Sequence, residues 1–167
     1  MATKKSNKEK YTLLKSIYIV FLGLIIALFV GLGIAAFYET PKEPRQSSVA
    51  QETNYAKEPS EQALKAQKDF ENQMQDYNEN KLGPYNRNVA IIALVLAVVI
   101  LTIGLLFAKK FMILSDGILL GGVFTLIYSI IRAAGANNIR FTFVVVAVSL
   151  AVTLFLGFWK FLRRPEI

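Results

Sequence analysis

Apolar residues are gathered along this chain of 167 residues into four long blocks, separated by charged or proline-containing stretches. Each block matches the roughly twenty residues that a helix rising about 1.5 Å per residue needs to cross a hydrocarbon core. The run from Ile17 to Phe37 contains no charged residue and has no polar face to present to water. The pattern predicts an all-α integral membrane fold with four transmembrane helices, at residues 16–38, 88–108, 111–133 and 140–159. Residues 1–15, with Lys4, Lys5, Lys8, Lys10 and Lys15, read as a basic tail, disordered over its first ten residues, and residues 160–167 as a second short tail.

Residues 39–87 break the apolar pattern and hold four of the five prolines. Pro41, Pro44 and Pro59 stop any helix leaving the first span and make Glu39 to Glu58 an irregular linker. Ser60 is then a good N-cap with Glu61 in the first turn, and Ala63, Ala66, Phe70, Met74 and Tyr77 fall on one stripe. This predicts an extracytoplasmic amphipathic helix over 60–82 between the first and second spans. Lys81-Leu82-Gly83-Pro84 reads as its end, with glycine in a left-handed conformation and proline barring continuation. Such a helix is marginal alone in water, whereas burying Phe70, Met74 and Tyr77 contributes about 1.5–3 kcal/mol per side chain. Those three are the expected interaction residues, with docking between copies slightly preferred over docking within one.

Charge then orients the spans. The side holding both termini and the 109–110 turn carries ten Lys and Arg against Glu9, Asp116 and Glu166, while the opposite side carries nine basic and nine acidic residues. The whole formal charge of +7 therefore sits on one face, which places both termini in the cytoplasm and 39–87 outside. A pI near 9.6 would suit a nucleic-acid binder, but these basic residues flank spans and read as anchors for anionic lipid heads. The bilayer is the expected partner and nucleic acid is not. Gly33-Ile34-Ala35 offers a cleavage-like site, yet the apolar region before it exceeds the 7 to about 15 residues of a signal peptide, so an uncleaved anchor is expected.

The chain has no Cys and no His, which removes disulfides, thiol nucleophiles, thiolate metal sites and the usual haem ligand. It also lacks a GxxxxGK[ST] phosphate loop and a GxSxG elbow. No catalytic, cofactor-binding or metal-binding residue is expected, and the chain reads as a non-enzyme without cofactors.

Two features inside the spans carry candidate function. Small residues recur every fourth position at Gly23, Ala27, Gly31 and Ala35 of the first span, and at Gly117, Gly121, Thr125, Ser129 and Ala133 of the third. Such stripes let helix backbones approach closely, within one protomer or between subunits. Asp116 is the one acid inside an apolar run, and an intramembrane acid is a functional candidate. The competing reading makes Leu114-Ser115-Asp116-Gly117 a cap that starts the third helix, with Phe111 to Leu114 along the surface and Asp116 free to pair with Lys15, Lys109 or Lys160. Thr102, Thr125, Ser129, Ser149 and Thr153 can return hydrogen bonds to their own helices, so none demands a polar pore.

The stretch Gly31-Leu-Gly-Ile-Ala-Ala-Phe-Tyr before a proline-rich exit, with Leu114-Ser-Asp-Gly-Ile-Leu-Leu-Gly-Gly opening a later span, resembles small uncharacterised bacterial multi-pass membrane proteins. The resemblance implies a bacterial inner membrane and brings no activity or site residues. The expected function is a structural, scaffold or accessory role, by assembly with itself or a membrane partner through the spans and the outer helix. A subunit of an oligomeric channel or transporter and an envelope sensor subunit are the alternatives.

Overall fold

The computed structural model describes residues 2–51, 55, 60–108 and 110–162, with side chains described within 11–160. Its helices are α1 (Ala2–Phe37), α2 (Ser48–Gln51), α3 (Glu61–Asp76), a π-helical stretch (Tyr77–Leu82), α4 (Gly83–Phe107), α5 (Met112–Ala134) and α6 (Ile139–Leu162). Four of these helical segments are long and apolar enough to cross a membrane: Tyr11–Phe37, Glu61–Phe107, Met112–Ala134 and Ile139–Lys160.

Three local expectations are corrected. The basic stretch is helical from Ala2 onward, because a helix already nucleated by the span extends backwards at one hydrogen bond per residue fixed. The helix that begins after Ser60 does not end at Gly83-Pro84: residues 61–107 are continuous. Gly83 has φ −58°, in the right-handed region, and its N–H is donated to Asn78 O five residues back. Proline in a helix interior removes one bond and crowds the carbonyl four residues earlier, and the wider π turn stands directly before Pro84. Glycine stands at 83 for lack of room. A Cβ there would lie 3.1 Å from Asn78 O and 3.3 Å from Ala136 O in the α5–α6 turn.

The third correction concerns Asp116. α5 begins at Met112, with Phe111 as a cap residue that makes no side-chain bond, so Asp116 lies inside the helix and caps nothing. Phe111 N is instead donated to Phe107 O and Ser115 N to Phe111 O, which closes the α4–α5 turn tightly enough for the helix to start before the serine.

α5 is the hub of the bundle, touching α1, α4 and α6. α4 packs antiparallel to it along a seam of small residues spaced by seven: Ala90, Ala97 and Gly104 face Ser115, Gly122 and Ser129. Ser115 Oγ donates to Gly104 O and Ser129 Oγ to Ala90 O, both at 2.7 Å, so the register is the same at points fourteen residues apart. Contacts repeating at 3.5 residues per turn mark a left-handed supercoil. α1 runs parallel to α5, with Leu22 on Gly117 and Ile26 on Gly121, then passes to α4, where Val30 and Ile34 meet Tyr85, Val89 and Ala93. α6 returns antiparallel to α5. Its Val152 and Leu156 pack on the Ala97, Leu101, Leu119 and Leu126 cluster. Among the described residues the backbones of α1 and α6 do not approach closely.

Candidate functional site

Two polar centres stand at opposite ends of α5, and the helix seams hold them in place. At one end, called here the tyrosine end, Arg132 lies one turn beyond Tyr128 in the last turn of α5, where a cation faces the negative pole of its own helix. Its Nε donates to Tyr128 Oη at 3.1 Å and its Nη1 to Asn86 Oδ1 at 3.2 Å, while Asn86 Nδ2 donates to Gly135 O at 2.9 Å. The guanidinium also lies 5.3 Å from the Tyr128 ring centre and 6.0 Å from that of Tyr85. Tyr85 in turn stacks on Tyr38 at 5.2 Å and shares a hydrogen bond with Thr40. The centre thus ties the end of α1, the start of α4 and the α5–α6 turn into one clasp.

At the other end, the lysine end, Lys160 Nζ of α6 donates to Asp116 Oδ1 of α5 at 2.7 Å. Of the three partners the sequence offered Asp116, Lys109 lies outside the described residues and Lys160 pairs with it, the one ion pair among the described residues. Beside it opens a crevice of about 330 Å³ between α1 and α6, floored by α4 and α5.

The small-residue stripes are placed unequally. Gly117 and Gly121 face α1, where a Cβ would lie 2.6 Å from Leu22 and 2.8 Å from Ile26. Gly23 meets Leu120 and the backbone of Gly121. Thr125 and Ser129 are fully buried, Thr125 bonding within α5 and Ser129 across to α4. On α1, however, Ala27 is half-buried, Gly31 only approaches the Tyr128 ring at 4.0 Å, and Ala35 is exposed. The stripe there leaves the contact because α1 turns from α5 toward α4, and Val30 and Ile34 take over.

In the segment between α1 and α4, Ser60 Oγ accepts from Ala63 N at 3.2 Å. Tyr77 is buried and its hydroxyl donates to Pro41 O at 2.8 Å. Phe70 and Met74 are half-buried and line a hollow of about 480 Å³ with Glu71, Gln75, Asn78 and Asn137.

Sequence reasoning missed the seven-residue seam and the Arg132 clasp. The seam was written in Ala90, Ala97 and Gly104 against Ser115, Gly122 and Ser129, but a search at period four passes over period seven. The spacing of Tyr128 and Arg132, four apart, was the available signal. No protein-family model, curated protein or solved structure matches the chain.

Proposed function

We propose that the chain is a non-enzymatic four-pass protein of a bacterial inner membrane, both termini cytoplasmic, that assembles with a second copy or a membrane partner through its outer helix and spans. The observation that carries this reading is the unbroken helix from Glu61 to Phe107. Its first 22 residues, α3 and the π stretch, extend about 33 Å beyond α4 at 1.5 Å per residue. Phe70 and Met74 on this rod are only half covered by their own protomer, whereas Tyr77 at its base is already used. Half-covered apolar side chains on a fixed rod suit a protein partner, because little conformational freedom is lost when they are covered.

The test is the mass of the complex in nanodiscs. A species larger than the 18.7 kDa chain is expected, and Phe70→Ser with Met74→Ser should reduce it to the monomer without affecting insertion. A monomeric wild type with no co-purifying membrane protein overturns the assembly reading. The continuity of α3 with α4 also favours the sensor alternative, since a load on the rod is delivered directly to a span. An interaction that appears only when a ligand engages residues 61–76 would select it.

Orientation is tested separately, through single cysteines in a chain that has none. With Cys at Ser6, Ser48 and Ile139, an impermeant thiol reagent on intact cells should label the last two and not the first. Ile139 is 82% exposed and preferable to Asn137, whose φ of 52° would strain a substitute. Labelling at position 6, or protection at 48, reverses the topology.

A further inference from the structure

The crevice at the lysine end has one kind of wall and a different kind of mouth. Ile19 of α1, Leu119, Leu120 and Val123 of α5, and Leu156 and Gly157 of α6 make its sides. The Thr153 hydroxyl on the α6 side already donates its proton to Ser149 O, so these walls offer a guest no hydrogen-bond donor. A Cβ built on Gly157 meets nothing within 4 Å, so the space beside it is open. From Asp116 to Val123 the floor runs about 10 Å along the helix at 1.5 Å per residue. A groove of about 330 Å³ over that length has room for a hydrocarbon chain laid along it.

At the mouth, the Lys160–Asp116 bond uses one of the three ammonium protons and one of the two carboxylate oxygens. Both side chains keep about a quarter of their surface exposed, 27% and 26%. The remaining valences are complementary to a zwitterion: an anionic oxygen for Lys160 and an N–H donor for Asp116. The pair is neutral as a whole, so it attracts no net charge; a quaternary ammonium has no proton to donate to the carboxylate, a glycerol hydroxyl donates without charge, and a primary ammonium donates with it.

Resting on the membrane placement above, we propose that this crevice holds one acyl chain of a phospholipid with a primary-amine head group, its ammonium on Asp116 and its phosphodiester on Lys160. Native mass spectrometry of the full chain released from nanodiscs containing equal phosphatidylethanolamine, phosphatidylcholine and phosphatidylglycerol provides the test. One phosphatidylethanolamine should be retained per chain, about tenfold over phosphatidylcholine, the ratio produced by about 1.4 kcal/mol of charge-assisted hydrogen bonding. Asp116→Asn should bring the two zwitterionic lipids to near-equal retention with helicity unchanged, and Gly157→Leu, which fills the open space, should abolish retention. Equal retention of all three lipids by the wild type, a preference for phosphatidylglycerol, or an adduct that survives Gly157→Leu overturns the proposal. So does a Gly157→Leu protein that loses an oligomer rather than a lipid, since the occupant is then a second copy. Alkaline extraction of membranes separates the two levels: a chain stripped by alkali refutes the membrane reading itself, whereas a chain that stays but retains no lipid refutes only the crevice.

Discussion

Gly122→Ala should lower the thermal midpoint of the detergent-solubilised protein by several degrees, while Gly33→Ala leaves it unchanged or slightly raised. A methyl on Gly122 would lie 2.5 Å from Cγ and Cδ2 of Leu101, and the Leu101 backbone N stands only 3.3 Å away. Leu101 is 1% exposed and packed among Ala97, Leu119 and Leu126, so it has nowhere to retreat. Overpacking of this kind costs about 1–3 kcal/mol, and each kcal/mol moves the midpoint of a chain this size by about 2–4 °C. In a bilayer the loss falls on the main source of adhesion, because lipid gives apolar helices no hydrophobic reason to associate. Gly33 faces open space, and alanine there removes only a helix-propensity penalty of at most about 1 kcal/mol. Equal midpoints for the two variants would mean that α4 and α5 do not meet along this seam.

Arg132→Met should destabilise the tyrosine end by about 2–3 kcal/mol, with Arg132→Lys recovering less than half. The substitution strips the Asn86 carbonyl and the Tyr128 hydroxyl of a charged donor, each such bond contributing about 1.5–3 kcal/mol. It also removes a cation from beside two rings, where about 0.5–1 kcal/mol apiece is usual at partly exposed sites. The sum exceeds the expected effect because the bonds share one side chain and the freed groups can take up water. Lysine brings a charge but no planar fork, and cannot reach Tyr128 and Asn86 together. A double-mutant cycle with Asn86→Leu measures the connection directly, with a coupling of at least about 0.5 kcal/mol expected for groups in contact. Additive effects would show that the clasp is two unrelated contacts.

What was legible in the sequence was whatever depends on run length and local chemistry. Four apolar blocks of spanning length produce four helices because every backbone group in such a run is satisfied within its own helix. The Ser60 cap is equally local. What escaped depends on neighbours that are far apart in the chain. Gly83-Pro84 carries the local signature of a helix end, yet its glycine answers to Ala136 in a turn some fifty residues on. Asp116 follows a serine and precedes a glycine as a cap residue would, and its partner is 44 residues away. Along the α1 stripe Gly23 packs on α5 and Ala35 is exposed, and nothing within α1 tells where it leaves α5 for α4.

The π stretch Tyr77–Leu82 has a further consequence, one of angle. An α-helix advances about 100° per residue, and a turn closed by bonds to the fifth residue back holds one residue more than its neighbours. The azimuth of Phe70 and Met74 about the helix axis is therefore set by this one widened turn, independently of how α4 sits against α5. Gly83 and Pro84 maintain that turn, and Tyr77, bonded to Pro41 O, pins its start. The direction in which the rod offers its apolar side chains around the bundle is thus an adjustable bearing, tuned by the six residues at its base, where it joins the span.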